Sequence, residues 1–182
     1  MELEIRSKVV NKELFEKKLN QLPQLKVKKR SEREVDTYMC QPGSDGKEII
    51  FRIRRRKSGT MFTVKTAGGS NKKDVFWKDI DMPLDDPDLL EDILMSNGWK
   101  YSVIIDKVRD SFNYNEFEIN FDVIRDLGTF VEIEFQTKDE SDMDLTLEKM
   151  KEILEFLGCK QEDIIQKGYV KLMLEKINNS VS

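Results

Sequence analysis

Apolar Leu3, Ile5 and Val9 alternate with charged Glu2, Glu4, Arg6 and Lys8, so residues 1–8 read as a strand with one apolar and one charged face. The spacing turns helical over Asn11 to Gln21. Asn11 suits an N-cap, Leu14, Phe15, Leu19 and Leu22 form a stripe, and Pro23 ends the helix. Leu25 to Arg30 alternates weakly and is very basic. Glu34 to Cys40 returns to period two, with Val35, Thr37 and Met39 opposite Asp36 and Tyr38. A turn cluster at 41–46 leads into a strand from Ile49 to Arg56, which sets Arg52 and Arg54 opposite Phe51 and Ile53. Lys57-Ser58-Gly59 reads as a hairpin turn, and Met61 to Thr66 sets Thr63 and Lys65 opposite Phe62 and Val64. A glycine-bearing loop at 67–73 precedes a less regular strand, Asp74 to Met82, with Trp77, Asp79 and Asp81 on one parity.

Asp86 and Pro87 open a second helix with a capping residue and a proline at its first position. Leu89, Leu90, Ile93 and Leu94 are its expected buried stripe, and Asn97-Gly98 its stop. Three strands follow. Ser102 to Phe112 carries Lys107 and Arg109 on one face. Asn115 to Val123 sets Glu116, Glu118, Asn120 and Asp122 against Phe117, Ile119, Phe121 and Val123. After a turn at Leu127-Gly128, Thr129 to Gln136 sets Phe130, Glu132 and Glu134 against Val131, Ile133 and Phe135. The C-terminal third is helical: Leu145, Leu147, Met150, Ile153, Leu154 and Leu157 form one stripe stopped by Gly158, and Gly168 to Ile177 a last amphipathic segment. Residues 1–177 read as a single domain and 178–182 as a frayed tail.

Composition narrows the function. The 182 residues suffice for one domain with a core, and 36% charged against 38% hydrophobic residues mark a globular chain. A net charge of −4 argues against a general nucleic-acid binder. No apolar run approaches the roughly 18–20 residues of a membrane span, and no export signal is visible. With only Cys40 and Cys159, a cytoplasmic protein with reduced, inert thiols is expected. The chain has no histidine, which excludes Ser-His and Cys-His nucleophilic catalysis and His-ligated zinc. A metal site here would rest on oxygen ligands, which suits Mg²⁺ or Mn²⁺.

The polar faces of the strands can be read in two ways. They can simply be solvated, as in any sheet with one wet side. Alternatively, amphipathic helices cover the apolar sides, and the polar sides turn into a barrel interior. There, buried cations and carboxylates need partners, which a polyphosphate and divalent cations supply. The repeated Arg-x-Arg, Lys-x-Arg and Glu-x-Glu pairs favour the second reading, because an arginine fork suits phosphate oxygens. Arg55, Arg56 and Lys57 read as a solvated hairpin end or a basic lip, and Trp77 and Trp99 as packing residues. Tyr38 and Lys65 share the polar parity and are candidates to shuttle a proton.

Glu2-x-Glu4-x-Arg6 resembles the Glu-x-Glu-x-Lys motif of the CYTH superfamily, the triphosphate tunnel metalloenzymes, with arginine in place of lysine. Asp36-Thr-Tyr38, Arg52-Ile-Arg54, Thr63-Val-Lys65, Lys107-Val-Arg109 and Leu127-Gly-Thr-Phe-Val-Glu132-Ile-Glu134 resemble its later strand motifs in the same order, over about residues 2–175. The last block and Gly168-Tyr169-Val170 resemble the class IV adenylyl cyclase branch most. The chain departs from the family's Arg-x-Glu-x-Glu strand, where Trp77, Asp79 and Asp81 stand.

The resemblance implies an α+β fold: an eight-stranded antiparallel β-barrel, the tunnel, with helices packed outside. By match, Glu2, Glu4, Asp122, Glu132 and Glu134 would carry metal, and Arg6, Lys8, Arg52, Arg54, Lys65, Lys107 and Arg109 would hold phosphates. The implied partner is a small-molecule triphosphate, with no nucleic acid or membrane, in a monomer or homodimer. Three functions stay open: an adenylyl cyclase, a triphosphatase acting on thiamine, nucleoside or inorganic triphosphate, and a non-catalytic sensor of polyphosphate or nucleotide.

Overall fold

A computed structural model describes residues 2–41, 50–67, 76–136 and 143–181. The turn cluster expected at 41–46 and the loop expected at 67–73 lie outside these residues apart from Gln41 and from Ala67, which ends a strand, and the strand starts expected at Ile49 and Asp74 lie outside them too. The elements in chain order are β1 (Glu2–Lys8), α1 (Lys12–Leu19), β2 (Lys26–Cys40), β3 (Ile50–Arg56), β4 (Gly59–Ala67) and β5 (Phe76–Pro83). Then come α2 (Pro87–Ser96), β6 (Lys100–Tyr114), β7 (Phe117–Ile124), β8 (Gly128–Gln136), α3 (Met143–Phe156), β9 (Ile164–Ile165) and α4 (Tyr169–Val181). Asn11 and Asp86 cap as expected, accepting from the Leu14 and Leu89 amides at 3.0 and 2.9 Å.

The strands form one antiparallel sheet in the order β5-β4-β3-β2-β6-β7-β8-β1-β9. The sheet curls until its ends meet, where among the described residues β1 pairs with β5 at Glu2↔Trp77 and Leu3↔Phe76. Farther along the same edge, β9 pairs with Arg6 and Ser7. The result is an eight-stranded, barrel-like tunnel whose seam is only partly strand-paired.

β2 joins two segments that the sequence pattern separates. The break at 31–33 is a bulge: Ser31 has a φ of 49°, the register with β6 shifts there, and the Ser31 amide donates to Asp110 at 2.6 Å. A bulge lets one strand bend without ending, so the basic 25–30 segment and Asp36 belong to a single 15-residue strand.

The principal core lies outside the tunnel. Leu3 and Ile5 of β1, Ile119 and Phe121 of β7, and Val131 and Ile133 of β8 pack against Phe15 and Leu19 of α1 and Met150 and Leu154 of α3. Covering these apolar faces leaves the alternate, charged residues facing inward. The packed face of α3 runs through Thr146, Met150 and Leu154, while Leu145, expected in the stripe, is exposed. The stripe expected on α2 is also corrected, because no α2 residue is buried and Leu89 and Ile93 are about half exposed. Polar ties hold α2 instead: Arg55 reaches Asp88 and Glu91, and Tyr101 donates to Glu91. Trp99 stacks on Phe51 at 4.3 Å, the packing role expected of it, while the Trp77 side chain lies outside the description.

α4 corrects the expectation that every helix sits outside. Its Tyr169 and Met173 pack with Val103, Ile105, Ile124 and Phe130. These four share the inward parity of Lys107, Asp122 and Glu132, so α4 packs on the inner face at one end of the tunnel. It also runs to Val181, through most of the segment expected to fray. No helix among the described residues is long and apolar enough to cross a membrane.

Candidate functional site

Register brings the inward residues into layers. Arg6 stands opposite Glu132, Glu132 opposite Asn120, and Asn120 opposite Ser111, across β1, β8, β7 and β6. Arg109 pairs with Asp122, and on β2 and β3 Asp36 stands opposite Arg54. At one end Glu134 lies directly between Glu4 and Glu118. Parity turns each side chain inward and register sets its depth.

Five cations, Arg6, Arg52, Arg54, Lys107 and Arg109, are buried together with five carboxylates, Glu4, Glu34, Asp36, Asp122 and Glu132. Arg6 bridges Glu4 at 2.7 Å and Glu132 at 2.8 Å. Arg109 grips Asp122 through both fork nitrogens, at 2.6 and 2.5 Å, and reaches Glu132 at 2.6 Å. Lys107 lies 3.7 Å from Asp122 and 3.3 Å from Glu34. Arg54 is 3.5 Å from Glu34 and bidentate to Asp36 at 2.6 Å. Beside this chain, Arg52 donates to Thr63 at 2.9 Å, Thr63 donates to Asp81 at 2.5 Å, and Lys65 pairs with Asp79 at 3.0 Å. Isolated charges could not be buried this way, and mutual pairing makes the interior tenable.

The charges shape one another's proton affinity. Burial alone would raise the Glu34 carboxyl, but Lys107, Arg54 and Arg109 outweigh it and bring it to about 2. Burial likewise opposes ionisation of Glu132, yet Arg6, Arg109 and Lys107 hold it below the usual carboxylate range. Glu134 goes the other way: burial, then Glu2, Glu132 and Glu4, push it up to about 8 against the pull of Arg109. Glu2 is raised by burial and by Glu4, Asp79 and Glu132, although Lys65 opposes this. Burial and Arg52 work against the Lys65 ammonium, but Glu4, Asp79 and Tyr38 leave its pKa raised, so it stays charged.

Most of the expected site residues therefore come together. Lys8 does not: it shares the parity of Arg6 but is exposed at the end of β1. Tyr38 is half-buried and packs against the apolar cluster under α4. Residues outside the expected set also belong to the interior, among them Glu34, Asp36, Thr63, Ser111 and Asn120. Glu34 has the parity of Asp36 and Tyr38, a signal available in the sequence. Arg56, read as part of a solvated end or lip, instead donates to Glu34 at 2.6 Å.

The carboxylates suit a hard divalent cation by donor type. Glu2, Glu4, Glu132, Glu134 and Asp122 offer only oxygens, and the raised Glu134 and Glu2 record burial first and like-charge crowding second. In the present arrangement no three carboxylates among the described residues converge on one point. Arg6 engages Glu4 and Glu132, and Arg109 engages Asp122 and Glu132 instead.

The CYTH domain family matches residues 1–169 of the chain. A Methanocaldococcus jannaschii protein provisionally named adenylate cyclase is 27% identical over 173 residues, covering 94% of this chain and 98% of the relative. A Vibrio parahaemolyticus structure, also provisionally named adenylate cyclase, has a TM-score of 0.79 at 18% identity, covering 94% of this chain and 97% of that one. A Hippeastrum cyclase candidate described as having a dominant triphosphatase activity has a TM-score of 0.63 at 13% identity, covering 98% and 96%. At these identities the two structures establish a shared fold.

Proposed function

Because this chain belongs to the CYTH family, we propose that its interior binds a small-molecule triphosphate with Mg²⁺ or Mn²⁺ and that it acts as an adenylyl cyclase. The observation that carries the reading is the self-neutralised interior, five buried cations interleaved with five buried carboxylates. Each half is a partner for something outside the chain. Phosphate oxygens would take Arg6, Arg52, Arg54, Lys107 and Arg109 from their carboxylates, with Lys65 beside them. Glu2, Glu4, Asp122, Glu132 and Glu134 would then hold the metal, which when bound neutralises phosphate charge and lowers the pKa of the attacking oxygen. A site needed only to bind phosphate could do with the cations alone, so the carboxylates favour turnover over sensing.

In the cyclase reaction the ribose 3′-oxygen of ATP attacks the α-phosphorus, its proton leaves, and pyrophosphate departs. The cations stabilise the charge that builds on the phosphate oxygens. Lys65, already an ammonium, suits that task, which leaves Tyr38 as the proposed proton relay. The second reading is a triphosphatase, with water attacking the terminal phosphorus. It is favoured by the activity described for the structurally similar Hippeastrum protein. We place either enzyme in the cytoplasm, a reading that the two free thiols support.

The test is product analysis with Mg²⁺ or Mn²⁺ and, separately, ATP, thiamine triphosphate and inorganic triphosphate, with Glu134→Gln as control. Cyclic AMP plus pyrophosphate, lost in the variant, establishes the cyclase. Orthophosphate without cyclic AMP means the triphosphatase, and saturable binding without turnover means the sensor. Glu134 is crowded by like charges, so the variant should keep or gain thermal stability while losing turnover. A variant with full activity refutes its place among the metal ligands.

A further inference from the structure

Four buried side-chain polar atoms among the described residues have no hydrogen-bond partner: Glu34 Oε2, Asp79 Oδ1, Asn120 Nδ2 and the Tyr169 hydroxyl. All four lie along the tunnel. The two carboxylate oxygens are compensated by charge. Glu34 Oε2 is 3.3 Å from Lys107, and the other oxygen of Asp79 is 3.0 Å from Lys65. The two donors have no such compensation.

Asn120 is fully buried on β7, and its Oδ1 accepts from Ser111 Oγ at 2.5 Å. The amide is trigonal, so Nδ2 is turned away from Ser111. Its register partner Glu132 has both oxygens engaged, by Arg6 and by Arg109. Tyr169 begins α4, and its ring lies 5.1 Å from the Arg6 guanidinium and 5.6 Å from the Lys107 ammonium. A buried donor left unmade carries its full desolvation penalty, and at either position an apolar residue would fill the space without that cost. Tyr169 adjoins two cations that the proposed function assigns to phosphate, and Asn120 stands across the register from Glu132, which two of those cations hold.

We propose that Asn120 and Tyr169 form an uncharged donor pair that takes non-bridging oxygens of the bound polyphosphate, alongside the arginine and lysine clamp. The inference rests on the triphosphate-binding reading. It adds directional recognition to a clamp otherwise built from charge. Because neither donor is charged, its share of the affinity is not screened by salt, whereas the share of the cations is.

The test is calorimetric titration of inorganic triphosphate into the full chain in EDTA, which prevents metal-dependent turnover, at about 50 mM and about 500 mM salt. Tyr169→Phe and Asn120→Ala should each weaken binding about threefold to tenfold, by the same factor at both salts. Arg52→Gln should show a loss that shrinks as salt rises. Variants that bind as tightly as wild type, while Arg52→Gln is weakened, overturn the donor pair and leave the clamp standing. A folded wild type that binds no triphosphate overturns the proposed function, and the inference with it. Should Asn120→Ala fail to fold, the Asn120 side-chain amide resonance of the wild type decides its half. A downfield move on adding triphosphate supports the contact, and an unmoved resonance overturns it.

Discussion

Glu34 offers the clearest test of how the interior is held together. Its side chain is 1% exposed and serves Arg56 at 2.6 Å, Lys107 at 3.3 Å and Arg54 at 3.5 Å. Glu34→Gln keeps the shape and removes the charge, leaving buried Arg54 with Asp36 alone and buried Lys107 with the more distant Asp122. The drop of the Glu34 pKa from 4.5 to about 2 corresponds to about 3 kcal/mol. Breaking a buried ion pair from one side independently gives about 3–5 kcal/mol. For a chain of this size each kcal/mol moves the melting temperature by about 2–4 °C, so the variant should melt about 6–12 °C lower at neutral pH. The sign with pH follows from the depressed pKa. The stabilisation is present above the ordinary carboxylate value and fades as pH falls through 4 toward 2, so wild type and variant should converge there. Saturating triphosphate should also narrow the gap, because phosphate oxygens replace the missing carboxylate. Calorimetric melting across pH checks all three. A variant within about 2 °C of wild type at pH 7 refutes the reasoning, as does a gap that stays constant on acidification.

Under the proposed assignment of Glu134 to the metal, its raised pKa makes binding proton-linked: the protonated group cannot ligate, so Mn²⁺ affinity should climb with pH and level off above about 8. Titrations in buffers of different ionisation enthalpy would detect the released proton, and a flat affinity contradicts the assignment. Phe15→Ala removes a fully packed ring stacked on Phe121 at 4.9 Å, and should cost about 3–5 kcal/mol in urea unfolding. A loss under about 1 kcal/mol would mean that α1 contributes little to the core. Gly158 has a φ of +88°, and an added Cβ there meets Leu14 at 3.1 Å, so Gly158→Ala should cost about 1–2 kcal/mol. Unchanged stability would show that the α3 terminus can rearrange.

Alternation along the strands was enough to identify the inward wall, because parity is a local property that a single strand displays. Arg6, Arg109, Asp122 and Glu132 converge as their parity and order suggest. Depth along the tunnel is another matter, since it depends on register between strands far apart in sequence. Lys8 has the correct parity but lies past the useful depth, and Arg56 reaches inward to Glu34 despite its place at a hairpin end. The position of α4 was hidden for a similar reason. Its apolar stripe says that it must pack, but Val103, Ile105 and Phe130 are inward residues that look apolar only at that one level of the barrel. α2 shows the limit in reverse, since its stripe signals burial that only Leu90 and Leu94 partly achieve.

The short N-terminal strand is clasped by β8 and β9, and the Arg6–Glu132 bond spans 126 positions. On a translating ribosome β1 emerges well before β8 and β9 and waits until both are made. Contacts of such separation close late and slowly. Glu2 and Glu4 therefore spend synthesis apart from Glu132 and Glu134, so a chain stopped early has no assembled carboxylate wall. The same delay leaves the β1 edge, with Leu3 and Ile5 beside it, open to wrong pairing until the last strands arrive. Completion of the last strands is what brings the carboxylates of β1 and β8 onto one wall.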